Sequence, residues 1–96
     1  MAIGLIIEIP GMTSEMYDEV NGKANAPDDP PDGLLFHMAG PGDGGWRVVD
    51  AWESRAAFDR FSAETLGPIL NELTGGQVAP PQPVEFDVHN IEFHNA

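Results

Sequence analysis

The chain reads as an α+β, ferredoxin-like fold with the element order β-α-β-β-α-β. Three observations predict it. Ile3–Ile9 is a β-branched, apolar run closed by Pro10-Gly11, a strand followed by a turn. Gly33–Glu53 holds two apolar runs, Leu34–Ala39 and Trp46–Trp52, around Gly40, Pro41, Gly42, Asp43, Gly44 and Gly45. That is a β-hairpin whose loop takes its positive φ angles from glycine. Helical spacing of apolar residues follows the first strand and again follows the hairpin.

Each element can be justified in order. Thr13 or Ser14 offers an N-cap for the first helix, and Glu15 and Asp18 favour the positive end of its dipole. Met16, Tyr17, Val20 and Ala24 form its buried stripe, and it ends before Pro27. Ala26–Gly33, with Pro27, Pro30, Pro31 and three aspartates, is a connector into the hairpin. Ser54 caps the second helix, whose stripe is Phe58, Phe61 and Leu66, then Ile69, Leu70 and Leu73. Pro68 removes a donor and predicts a kink or break near Thr65–Gly67, with Leu66–Leu73 a second helical piece closed by Gly75 and Gly76. Val78–Pro83 is an irregular connector, and Val84–Phe93 an alternating last strand. Right-handed crossovers put both helices on one face of a four-stranded antiparallel sheet. The other face carries apolar residues that a monomer would leave in water. A symmetric homodimer, sheet against sheet, is the expected remedy.

Composition narrows the function. Ninety-six residues make one domain, 1–96. There is no cysteine, which suits a reducing cytoplasm and excludes disulfides and thiolate metal sites. The apolar N-terminus lacks a basic leader and meets Glu8 and Pro10 early, so it reads as a strand rather than a signal peptide. No stretch reaches membrane-spanning length. A net charge of −12 repels phosphate backbones and anionic lipids, so neither nucleic acid nor a membrane surface is an expected partner.

The hairpin also carries a resemblance. GWRVVDAWESRAAFDRF, Gly45–Phe61, runs a strand through Trp-Glu-Ser into a helix with spaced phenylalanines, and VHN, Val88–Asn90, closes the chain. These features resemble the dimeric α+β barrel superfamily, in its branch of small proteins similar to antibiotic biosynthesis monooxygenases. The resemblance covers almost the whole chain. It implies a homodimeric barrel and one of several activities. Some members oxidise polyketide phenols to quinones with molecular oxygen and no metal or flavin. Others degrade haem, cyclise polyketides or dechlorinate, and some carry only a stress-response label. In haem-degrading members the second helix bears a Trp and, further on, a His that ligates iron. Those positions fall here at Phe61 and about Asn71, so the ligand is missing and no cofactor is expected. Quinone-forming members place Asn, Trp, Tyr and His side chains around a cleft between helices and sheet.

The polar residues of the hairpin suggest where chemistry would sit. With Ala39 facing Trp46, His37 lies opposite Val48 and diagonal to Asp50, within side-chain reach. An aspartate beside an imidazole holds one tautomer and strengthens the far nitrogen as a base. A buried pair that only pins the strand register would look the same. A slip of one residue would put the two groups on opposite faces. Trp46, Trp52 and Phe61 offer flat surfaces for a planar ligand or ordinary core packing. Tyr17 could orient a ligand phenol. Of His89 and Asn90, one points toward the helices and the other toward the dimer partner; His89 could complete the cleft or bond across the interface. No HxH, HxxxH or HExxH spacing occurs, and no metal is expected, although His37, His89 and Asp50 contain the makings of a 2-His-1-carboxylate site. GPGDGG lacks the Lys-Ser/Thr ending of a phosphate loop and reads as a turn. The sequence therefore predicts a cofactor-independent monooxygenase acting on an aromatic or polyketide-like molecule, with His37 and Asp50 catalytic. Tyr17, Trp46, Trp52, Phe61 and His89 would contact substrate. The alternatives are a cyclase or isomerase on the same scaffold, or a non-catalytic ligand-binding or stress-response dimer.

Overall fold

A computed structural model of the chain describes residues 2–25, 29–76 and 82–94. Residues 26–28 of the predicted connector and 77–81 of the proline-rich one lie outside them. Strands β1 (Ile3–Pro10), β2 (Leu34–Gly42), β3 (Gly45–Trp52) and β4 (Val84–Asp87) form an antiparallel sheet in the order β2-β3-β1-β4. Helix α1 (Ser14–Ala24) follows β1; α2 (Arg55–Phe61) and α3 (Gly67–Thr74) follow β3. Side chains alternate across a strand, so β1 sends Ile3, Leu5, Ile7 and Ile9 to one face. All four are buried, in one cluster with Val48 and Trp52 of β3 and with Val20, Phe58 and Leu70 of the helices. Both helical layers therefore cover the same face. Among the described residues, no helix is long and apolar enough to cross a membrane.

The caps follow the sequence. Thr13 Oγ1 accepts from Met16 N–H at 3.2 Å, and Ser54 Oγ from Ala57 N–H at 3.1 Å. Gly75 ends α3 in the left-handed region at φ 65°, which a glycine adopts without strain.

Three details depart from the sequence reading. The hairpin loop is shorter: β2 continues through Pro41 to Gly42, and Gly42 pairs with Gly45. Pro41 is tolerated because β2 is an edge strand, where a missing N–H breaks no ladder bond on the outer side. The register moves by two residues, so His37 faces Asp50 directly and Ala39 faces Val48. A two-residue shift keeps every side chain on its face. Second, Pro68 does not break the helix. Ser62–Leu66 widens into a π turn, with Gly67 N–H donating to Ser62 O, and Pro68 then sits in the first turn of α3, where a missing N–H costs least. Third, β4 ends at Asp87 rather than Phe93. Ile3 pairs with Asp87, and Val88 N–H reaches Ala2 O at 3.0 Å.

The opposite face of the sheet is apolar and uncovered. Met38, Val84 and Phe86 are exposed there, and Phe93 meets Phe36 with ring centroids 6.0 Å apart. The Phe86 ring covers Gly4: a Cβ at Gly4 would sit 2.2 Å from it.

Candidate functional site

The site is built where β2 and β3 meet under α1. Alternation along β3 turns Trp46, Val48, Asp50 and Trp52 toward the helices, and the paired strand adds His37 beside Asp50. Asp50 is 6% exposed, the one buried charged side chain among the described residues. Burying a carboxylate is expensive unless its oxygens are bonded, and here both are. His37 Nδ1 lies 2.6 Å from Oδ1, and Trp52 Nε1–H donates to Oδ2 at 3.1 Å. A carboxylate only accepts, so neutral His37 carries its proton on Nδ1 and leaves Nε2 as an acceptor. Tyr17, reaching down from α1, hydrogen-bonds that Nε2 through its hydroxyl.

Tyr17 is held at its hydroxyl by His37 and along its ring by Trp46. Its ring is parallel to His37 within 7°, centroids 6.0 Å apart, and stacks on Trp46 at 5.4 Å. Burial pushes the phenol's ionisation above its usual pH of 10.0, with the charges of Asp50 and Asp18 adding to the effect. The folded state therefore holds the phenolic proton more tightly than the unfolded chain. The resulting stability is full below pH 10 and is lost as pH rises from there through the folded value. Tyr17 is the only tyrosine of the chain, so absorbance at the phenolate band reads it alone. The expected titration midpoint lies above that of the same chain in denaturant, and moves down in Asp50→Asn.

Tyr17, His37 and Asp50, together with Asn21 and Asn25, form the polar part of the wall of a cavity of about 70 Å³. The rest is apolar, contributed by Ile7, Val48 and Trp52 of the sheet and by Val20, Phe58, Phe61 and Leu70 of the helices. Of the residues predicted for the site, Tyr17, His37, Asp50, Trp52 and Phe61 line this cavity. Trp46 instead backs the Tyr17 ring, and its Nε1 is buried without a partner. His89 is exposed beyond the end of β4 and does not complete the cleft, because the strand that would have carried it inward stops at Asp87. Sequence reasoning missed Asn21, Asn25 and Pro31, which also line the wall. Asn21 was findable, since it stands one helical turn from Tyr17 on the same face.

The donor set does not fit a haem. Asn71, where the family's iron ligand falls, is exposed and outside this cavity, and both nitrogens of His37 are already engaged. Among the described residues, no three His, Asp or Glu side chains converge in a metal-binding group, so His37, Asp50 and His89 are not assembled as a triad.

No protein-family profile and no curated protein matches the chain. Solved structures do. A putative antibiotic biosynthesis monooxygenase from Chloroflexus aurantiacus J-10-fl aligns over 99% of this chain and 98% of its own, with TM-score 0.63 and 10% identity. NE2512, a protein of unknown function from Nitrosomonas europaea, aligns over 99% and 94%, with TM-score 0.61 and 17% identity. A point mutant of MhuD with two manganese protoporphyrin IX bound per active site aligns over 98% and 100%, with TM-score 0.55 and 20% identity. The chain thus shares its fold, over nearly its full length, with these three structures.

Proposed function

We propose that this protein acts on an aromatic or polyketide-like small molecule as a cofactor-independent monooxygenase, using Tyr17, His37 and Asp50 to abstract a substrate proton. One observation carries the reading. His37 is bonded on one side to a buried carboxylate and on the other to a phenol, in the wall of a mostly apolar cavity. General-base catalysis needs such an imidazole, with its tautomer fixed and its cationic form stabilised by a carboxylate. Loss of a proton from a substrate phenol gives an electron-rich anion, which then reacts with dissolved dioxygen. The apolar wall formed by Ile7, Val48 and Phe58 keeps bulk water from reprotonating it. A homodimer joined through the uncovered sheet face would be the working unit.

The volume sets a condition. A cavity of about 150 Å³ holds benzene, and this one is about 70 Å³. An aromatic ring would therefore need the wall to yield. The same acid–base group would serve a cyclase or an isomerase, and oxygen uptake separates those reactions from monooxygenation.

The test is oxygen consumption and product formation with 1-naphthol and anthrone as probes. We expect His37→Ala to lower turnover by about 10²–10⁴-fold, the usual share of a general base, with its circular dichroism unchanged. A folded His37→Ala protein that keeps the native rate removes His37 from the reaction.

A further inference from the structure

We propose that Tyr17 is the catalytic residue that meets the substrate, and that His37 acts through it. The proton would travel from the substrate hydroxyl to Tyr17 Oη while the tyrosine's own proton moves to His37 Nε2. This rests on the proton-abstraction reading above and names the atom that performs it.

The argument is one of occupancy. Nδ1 of His37 is committed to Asp50 and Nε2 to Tyr17, so neither ring nitrogen is free to touch a ligand. The Tyr17 hydroxyl is different. With its hydrogen directed at Nε2, its oxygen keeps acceptor capacity, and the residue lines the cavity. A substrate O–H or N–H can donate to it without displacing anything. The transfers balance. The substrate O–H breaks as a new Tyr17 O–H forms, and the old Tyr17 O–H breaks as an Nε2–H forms. The imidazolium that results faces Asp50, whose second oxygen Trp52 holds in place. Return of the proton by the reverse path resets the unit. A standing phenolate at Tyr17 is opposed by burial and by the Asp50 charge, so coupled passage of two protons is the route that leaves no charge on the tyrosine. The stack on Trp46 fixes the ring while this happens. The substrate class that follows is a weak O–H or N–H acid, with an aromatic hydroxyl the best match.

Tyr17→Phe keeps the ring and removes only the relay atom. In the free protein, the His37 imidazole nitrogens are followed by ¹⁵N NMR, assigned with His89→Gln and His94→Gln. We expect the proton on Nδ1 in both proteins, and the Nε2 resonance displaced in Tyr17→Phe toward that of an unbonded imidazole nitrogen. With 1-naphthol as probe, Tyr17→Phe and His37→Gln should each lose about 10²-fold or more in kcat. The double variant should lose no more than either, as groups acting in one unit do. An unmoved Nε2 resonance overturns the relay. So does a Tyr17→Phe protein at the native rate beside an inactive His37→Gln, an outcome that leaves the proton-abstraction reading standing. A native protein inert toward both 1-naphthol and anthrone overturns that reading and the relay together.

Discussion

Trp52→Ala is expected to destabilise the fold by about 3–5 kcal/mol, the range for truncating a large buried aromatic. Trp52 is 1% exposed. Its ring meets Phe58 edge-on at 5.6 Å and Phe61 at 5.2 Å, so it ties the end of β3 to α2. It pairs with Ile3 on one side and Leu34 on the other, which puts it at the end of three strands at once. No neighbour can collapse into the space without moving one of those strands. Domains of this size hold about 5–15 kcal/mol in all, so the loss would leave a marginal protein. Urea denaturation followed by Trp46 fluorescence measures it. The midpoint should fall in proportion to that loss with the slope unchanged, and a shift worth under about 1 kcal/mol would mean that the core repacks.

Trp52→Phe separates packing from hydrogen bonding at the same position. It retains most of the ring but removes the donor to Asp50 Oδ2. A buried acceptor left unsatisfied costs about 1–3 kcal/mol. The same change frees the carboxylate to rotate, which would loosen His37. Structural and chemical roles therefore meet in one indole.

Much of this was legible from residues. Ser54, Thr13 and Gly75 announced helix ends, and alternation in β1 announced the buried face. His37 and Asp50 were placed on one face by a chosen register with Ala39 opposite Trp46; that register was two residues off, and the placement survived because only odd slips exchange faces. What the chain hid was of another kind. Pro41 reads as a loop residue until β2 is known to be an edge, and strand order is a tertiary fact. The π turn at Ser62–Leu66, between helices that place Phe58 and Leu70 in one core, leaves no composition signature. The bond from Tyr17 to His37 needed the position of α1 over the sheet, which a helical stripe does not specify. Local chemistry was readable, and distances between elements were not.

Met38→Asp is expected to turn a dimer into a monomer. On the uncovered face, Met38 is 54% exposed, Val84 65% and Phe86 50%. Ile6 and Val49 pair between them in the register of β1 and β3. Charge enters this face at Glu8 and Arg47, which bond each other at 2.5 Å and so neutralise one end of the strip. Water is a poor neighbour for an apolar sheet face of this kind, and in the proposed homodimer a second copy would cover it with the same residues by two-fold symmetry. An aspartate at position 38 would be buried without a partner in each half of the interface. An uncompensated buried charge costs about 3–5 kcal/mol, and symmetry counts it twice. At about 1.4 kcal/mol per tenfold, the dissociation constant rises by at least about 10⁴. The monomer itself should fold as before, since the altered side chain is open to water there. Light scattering at micromolar concentration checks this: the native protein should weigh twice the 10.3 kDa of one chain, and the variant once. Each chain carries a net charge of −12, so two copies repel, and added salt should tighten the native dimer by screening them. A native protein that stays monomeric across salt would rule the sheet face out as a self-association surface. Dimerisation undisturbed by Met38→Asp would move the interface elsewhere on the molecule.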